Sequence, residues 1–266
     1  MGPPGKQMKE EQMAVSKVER EIGGRVLTLE TGKVARQSHG AVWVRYGDTV
    51  VLATVLTAPP QRDIDFFPLY VDYREYQYAA GKVPGGWFKR EGRPSSKEIL
   101  TCRLIDRPIR PLFPDDFVDE VQIQCMVLSS DTQNDPDILA LIGSSAALAL
   151  SPAPFLGPIG AARIGCVDGN LVVSPTHDEL ALSDMDLVVC GPKESVNMIE
   201  LGGKEVPEDV VIRAIAKGHE TCRVVVEMIE ELVAKARVTK SYVPKPLPAE
   251  LLKTAWDKCA EKIRQA

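Results

Sequence analysis

The chain has 266 residues, 44% hydrophobic and 26% charged, with a formal net charge of −5. These are the proportions of an ordinary globular protein, long enough for one large domain or two small ones. No apolar run reaches the ~20 residues that span a bilayer, so no membrane partner is expected.

The first residues, Met1 to Gln12, are polar and charged and hold no signal-peptide core. Residues 1–13 read as a disordered leader. From residue 18 to 57 strand-like runs alternate with turns. Arg25 to Thr31 reads as a strand closing on Gly32. Ala41 to Val55 reads as a hairpin with Tyr46-Gly47-Asp48 at its turn. Phe67 to Tyr73 reads as another strand.

The segment that follows is the most telling. Gly85-Gly86-Trp87-Phe88-Lys89-Arg90-Glu91-Gly92-Arg93-Pro94 sets two aromatics beside two cations on a Gly- and Pro-bounded loop. Between Arg74 and Arg110 nine Lys/Arg face four acids, a basic window in an acidic chain. Such a window points to a polyanion. Rings beside guanidinium groups suit single-stranded nucleic acid, where bases stack and phosphates pair. The plainer reading is a solvated turn with a structural aromatic.

Ser95-Ser96-Lys97-Glu98 is a capping box, and the helix it opens is expected to stop near Pro108. Arg103 and Arg107, four residues apart, share a face of that helix. They serve either a ligand or nearby acids such as Glu98 and Asp106. Val118 to Leu128 reads as a strand. Asp135-Pro136-Asp137 opens a second helix, with Asp135 as N-cap and Asp137 at the positive dipole end. That helix, apolar and small-residued to about Leu150, is expected to be buried against a sheet.

Ile159 to Val173 reads as a hairpin turning at Asp168-Gly169. Asp186 to Cys190 and Val196 to Leu201 form another strand pair. A long amphipathic helix follows from about Pro207 to Val238, its apolar positions spaced by three- and four-residue steps. His219 within it is given no chemistry. Residues 245–248 break the chain, and Ala249 to Ala266 is a last amphipathic helix in need of a partner surface. The six cysteines (102, 125, 166, 190, 222 and 259) show no CxxC pair. They read as buried free thiols of a cytoplasmic protein, neither a zinc site nor a disulfide framework. Runs of strands and then helices give an α+β or mixed α/β class.

Three runs carry a resemblance to a known family. They are Phe88 to Pro94, Arg103 to Pro114 and Gly157 to Arg163. Together they closely resemble polynucleotide phosphorylase, in order, over residues 18 to 240. The match is to the first of that family's two ribonuclease-PH-like cores, here 14–240, with 241–266 beginning its all-helical linker. The resemblance implies an α+β ribonuclease-PH-like core, related to domain 2 of ribosomal protein S5, in a phosphorolytic 3′-to-5′ exoribonuclease of mRNA degradation. It implies inorganic phosphate as co-substrate and Mg2+ or Mn2+ in the full-length enzyme. It implies single-stranded RNA, a homotrimer, a second core, KH and S1 modules and degradosome proteins as partners.

The family's aromatic-aromatic-basic-basic loop, which lines the trimer opening and grips RNA, falls on Trp87-Phe88-Lys89-Arg90. Trp87 and Lys89 stand where the family has Phe and Arg; Lys lacks the bidentate phosphate contact of Arg. Arg93, Arg103 and Arg107 complete the RNA-binding set implied here. The family's catalytic parts lie mainly in its second core, as a serine-rich helix start for phosphate and two carboxylates six residues apart for metal. Aligned without gaps, this chain has Asp135-Pro136-Asp137 where those serines belong. The carboxylates should repel phosphate. Asp186 fits the second metal position, but Leu180 stands at the first, and Asp184 is at the wrong spacing. This core is therefore expected to bind RNA with a degenerate site, Asp186 being its only catalytic candidate and no metal being held. The alternatives are a non-catalytic RNA-binding or scaffold protein, and a stand-alone ribonuclease PH, which would need the serines and both acids.

Overall fold

A computed structural model describes residues 15–60, 64, 66–87, 89–238, 240, 242–243 and 249–265. Phe88 lies outside these residues, as do residues 1–14 and 244–248.

Strands β1 (Ser16–Ile22), β2 (Arg25–Thr31), β3 (Gly40–Tyr46) and β4 (Thr49–Ala58) form an antiparallel meander. Each turn carries the glycine its backbone needs, as at Gly47 with φ 60°. β5 (Leu69–Glu75) and β6 (Glu120–Ser129) finish a six-stranded sheet ordered β1-β2-β3-β4-β6-β5. β5 and β6 pair in parallel, so the chain must cross over between them, and helix α1 (Ser96–Ile109) is that crossover. The second sheet is antiparallel, ordered β10-β9-β7-β8, from β7 (Gly160–Val167), β8 (Asn170–Val173), β9 (Met185–Gly191) and β10 (Met198–Gly203).

Helix α2 (Pro136–Leu150) is the axis of the core. All of its residues are buried, as its unbroken apolar and small composition predicts. It lies against β3 and β4, and touches β6, β7 and the long helix α4 (Glu208–Ala236). The approach is close enough that a Cβ on Gly143 would stand 2.9 Å from Ala53 Cβ and from Val44 Cγ2. α4 covers β7 and β9, presenting Ala214, Cys222, Val225 and Ile229 to the interior. The α+β class is thus the one expected.

α1 ends at Ile109, near Pro108 as expected, and holds that proline, its ring buried, in the last turn. Several local expectations are corrected. Asp135 is the N-cap residue of α2, but its side chain makes no cap bond. The cysteines are not all buried: Cys259 is exposed and Cys102 is half-buried. A short helix, α3 (His177–Leu182), was not anticipated, although Thr176 and Glu179 form a full capping box at its start. Helix α5 (Ala249–Gln265) forms, yet its apolar residues Leu251, Leu252, Trp256 and Ile263 are exposed.

The packing at Gly143 predicts that Gly143→Val overfills the helix–sheet contact and destabilises the fold by about 1–3 kcal/mol. Denaturant unfolding of the two proteins measures it.

Candidate nucleic-acid interface and the adjoining acid cluster

The basic loop is held at both ends. Downstream, Ser95 Oγ accepts the Glu98 N–H at 3.2 Å, and Glu98 Oε2 accepts the Ser95 N–H at 2.6 Å. The other Glu98 oxygen accepts the Glu75 N–H at 3.0 Å, tying α1 to the end of β5. Burial works to raise the Glu98 carboxyl, but these N–H donors outweigh it and hold it below the usual range. Upstream, Glu91 accepts the Gln77 N–H at 3.1 Å, pinning the loop against a 3-10 turn, Gln77–Ala80.

Trp87 is 94% exposed, and Lys89, Arg90 and Arg93 are exposed. Lys89 takes the left-handed region at φ 48°, a conformation L-residues seldom hold. An indole left in water is a poor structural residue, which weighs against the plain-turn reading.

Not all nine cations of the basic window are free. Arg74 pairs with Asp72 at 3.3 Å and Lys97 with Glu75 and Asp135. Arg110 is taken by Asp106 and by the Phe67 and Leu69 carbonyls. Arg107 lies 3.5 Å from Glu200, an exposed pair worth under about 1 kcal/mol. Among the described residues Lys82, Lys89, Arg90, Arg93 and Arg103 have no ion-pair partner. Free positive charge is thus concentrated on the loop. Arg103 and Arg107 sit along the same helix, roughly 12 and 18 Å from its N-cap at 1.5 Å per residue.

The start of α2 is a different place. Arg163, on β7, donates from Nη1 to Asp135 Oδ2 and from Nη2 to Asp137 Oδ2, both at 2.9 Å. Its Nε lies 3.1 Å from Asp186 Oδ1, a close ionic contact without hydrogen-bond alignment. Lys97 Nζ bridges Glu75 and Asp135 at 3.0 and 3.1 Å. Asp135, Asp137 and Asp186, drawn together by alignment, are therefore brought to one guanidinium. The acids do not stand bare against an incoming phosphate, as expected from sequence; their charge is met by Arg163 and Lys97.

The cluster is buried enough for this to matter. The side chains of Arg163, Asp135 and Asp137 are 12%, 16% and 7% exposed, while that of Asp186 is 44% exposed. Burial pushes the Asp137 carboxyl up to about 6 against the pull of Arg163. Burial also acts on Asp135, but Arg163 and Lys97 outweigh it and hold that carboxyl below the usual range. Burial would lower the Arg163 guanidinium, yet Asp137, Asp186 and Asp135 raise it.

The arrangement does not fit phosphate. Pro136 has no N–H to give, and the Ile138 N–H is already taken by Asp137 Oδ1 at 2.6 Å. Nor does it fit a divalent ion, because the converging carboxylates are committed to a guanidinium. Among the described residues no group of three or more His, Cys, Asp or Glu is placed to hold a metal. Leu180 lies on α3, and Asp184 is exposed just ahead of β9. Arg163 carried no role in the sequence reading. Two acids at the mouth of a buried helix were the signal that a counter-cation was required.

Comparison with known proteins agrees with this fold. The model of the 3′ exoribonuclease family, domain 1, matches residues 23–154, and that of domain 2 matches residues 157–221. A polyribonucleotide nucleotidyltransferase of Rhodospirillum centenum is 54% identical over 245 residues, covering 92% of this chain and 34% of that protein. One from Bradyrhizobium diazoefficiens is 56% identical, covering 82% of this chain and 31% of that protein. The chain therefore spans about a third of the curated relatives it matches. Among solved structures, an Archaeoglobus fulgidus exosome with RNA bound to the active site superposes with a TM-score of 0.61 at 18% identity. That match covers 80% of this chain and 87% of the other. An archaeal exosome core gives 0.59 at 16% identity, covering 81% and 86%.

Removing one partner of a buried ion cluster strands the rest. Arg163→Leu is predicted to destabilise the fold by about 3–5 kcal/mol at neutral pH. The sign with pH follows from the carboxyls. In the variant Asp135 loses the main cation that holds it low and Asp137, already raised by burial, loses the pull that limits its rise, so their ionisation opposes folding. The deficit against the parent should shrink as pH falls from 7 toward 4. Unfolding midpoints across that range test it; a deficit that grows on acidification would contradict this account of the cluster.

Proposed function

Since this chain belongs to the 3′ exoribonuclease family and carries both of its domains, we propose that it serves a polyribonucleotide nucleotidyltransferase as its RNA-binding, catalytically degenerate core. The reading is that of a phosphorolytic 3′-to-5′ exoribonuclease acting in mRNA degradation. The observation that carries the division of labour is Arg163. It occupies the carboxylates that would otherwise face phosphate or a metal, while unpaired cations gather on the loop beside an exposed indole.

In this reading Trp87, Phe88, Lys89 and Arg90 grip single-stranded RNA, with Arg93, Arg103 and Arg107 along its course. Bases stack on the aromatic faces, and phosphates meet the cations. Lys89 supplies a point charge where Arg90 offers a planar fork, so Arg90 is the stronger phosphate clamp. Phosphorolysis belongs to a second core, with inorganic phosphate and Mg2+ or Mn2+ acting there. Such cores assemble as a homotrimer in the cytoplasm, with the loops around a shared opening. KH and S1 modules and degradosome proteins act as further partners. No helix among the described residues is long and apolar enough to cross a membrane.

The test is phosphate-dependent release of nucleoside diphosphate from labelled single-stranded RNA by this chain alone, with magnesium and with manganese. The expected result is no release alongside salt-sensitive RNA binding. Release that disappears in Asp186→Ala would overturn the degenerate-site reading. Trp87→Ala and Arg90→Ala should each weaken RNA binding by about 1–3 kcal/mol, and Arg90→Ala should also flatten the salt dependence. Unchanged affinity in both would remove the loop from the proposal.

A further inference from the structure

Next to the loop stands an aromatic pair that the proposed function does not use. Tyr76 and Tyr78 stack with ring centroids 5.3 Å apart and planes at 11°. Tyr78 is 51% exposed, and neither ring belongs to a hydrophobic core cluster. A pair that filled the interior would be covered; this one leaves Tyr78 exposed and Tyr76 half-buried.

The backbone beneath the pair is fixed. Tyr76 precedes the 3-10 turn Gln77–Ala80, which Gly81 closes in the left-handed region at φ 67°. The Ala79 carbonyl accepts the Ser130 N–H at 2.9 Å, fastening the turn to the segment after β6. Glu91 ties the loop to the same turn through the Gln77 N–H. The Tyr78 phenol feels this closeness: partial burial raises it, with Tyr76 and Glu91 adding. The hydroxyl is therefore neutral at physiological pH. Glu91 has its carboxylate engaged by the Gln77 N–H. The exposed cations of the loop it ties down, Lys82, Lys89, Arg90 and Arg93, have no ion-pair partner among the described residues.

We propose that the Tyr76–Tyr78 pair is a second nucleobase-stacking station for single-stranded RNA, reached by the same strand that meets the Trp87 loop. The inference rests on the RNA-binding reading and extends it. Stacking needs an exposed ring and cations for the phosphates; Tyr78 offers the first, and the loop tied to its turn through Glu91 carries the second. The choice of partner follows from that charge, since an acidic chain with a local cluster of unpaired cations recognises a polyanion. Tyr76 holds Tyr78 in place before any base arrives, so little side-chain freedom is lost on binding. Every base has a π-face, so the station adds affinity without sequence preference.

The experiment is fluorescence anisotropy of a labelled oligoadenylate with the parent chain, Tyr76→Leu/Tyr78→Leu, Tyr76→Phe/Tyr78→Phe, and Trp87→Ala, at two salt concentrations. The leucine pair should bind about tenfold more weakly with an unchanged salt slope, because a stack and not a phosphate contact is lost. The phenylalanine pair should bind like the parent. Leucine variants that bind like the parent while Trp87→Ala is weakened would overturn the station and leave the loop reading intact. No binding by the parent chain would sink both. Equal loss in the leucine and phenylalanine pairs would assign the effect to the hydroxyls and refute stacking. Should the leucine pair melt early, photocrosslinking of the parent chain to 5-iodouridine RNA decides. Adducts on Tyr76 or Tyr78 support the station, and adducts confined to other residues overturn it.

Discussion

Arg163 stands where the start of α2 meets β7 and β9, and the acids it holds come from two of those elements. Asp135 and Asp137 lie at the head of α2, and Asp186 on β9. Through Asp135 the cluster continues to Lys97 on α1 and to Glu75 at the end of β5. Tyr73 closes the line by donating its hydroxyl to Glu75 at 2.6 Å. Hydrophobic burial supplies most of the favourable free energy but is non-directional. A fork of N–H groups on fixed carboxylates is directional, so the ionic line adds to close packing in fixing the sheets on the buried helix.

The same line separates two chemical environments. On the Arg163 side the head of α2 is buried and its carboxylates are held in ion pairs. On the loop side charge is exposed and unmatched, in water that screens it beyond about 10 Å. Glu98 joins the two, because it caps α1 and also receives the Glu75 N–H. The loop is thus presented from a helix start that is itself fixed to the ionic line.

Much of the fold is legible in the sequence because its signals are local. The β3–β4 hairpin is marked by Gly47, α1 by Ser95 and Glu98, and α2 by Pro136 and an unbroken apolar run. α5 is legible as a helix, but its periodicity could not name a partner. α3 was legible in principle through Thr176 and Glu179, yet six residues are too few for periodicity to show. The cluster was half legible. Alignment drew Asp135, Asp137 and Asp186 to one site, but the cation between them is remote in sequence. No spacing rule links β7 to the head of α2. The tyrosine pair was hidden because contact between side chains two residues apart depends on the turn that carries them.

The parallel pairing of β5 with β6 places residues 76 to 119 on an excursion that leaves β5 and returns to lie beside it. Both ends of that excursion are welded into the sheet. Its interior length matters little to the closure entropy, since doubling a loop costs only about 0.6 kcal/mol. Residues of the loop tip between the Gln77 turn and Glu91 can therefore be added, removed or exchanged while the sheet keeps its order. The loop proposed to meet RNA can thus be retuned almost independently of foldability.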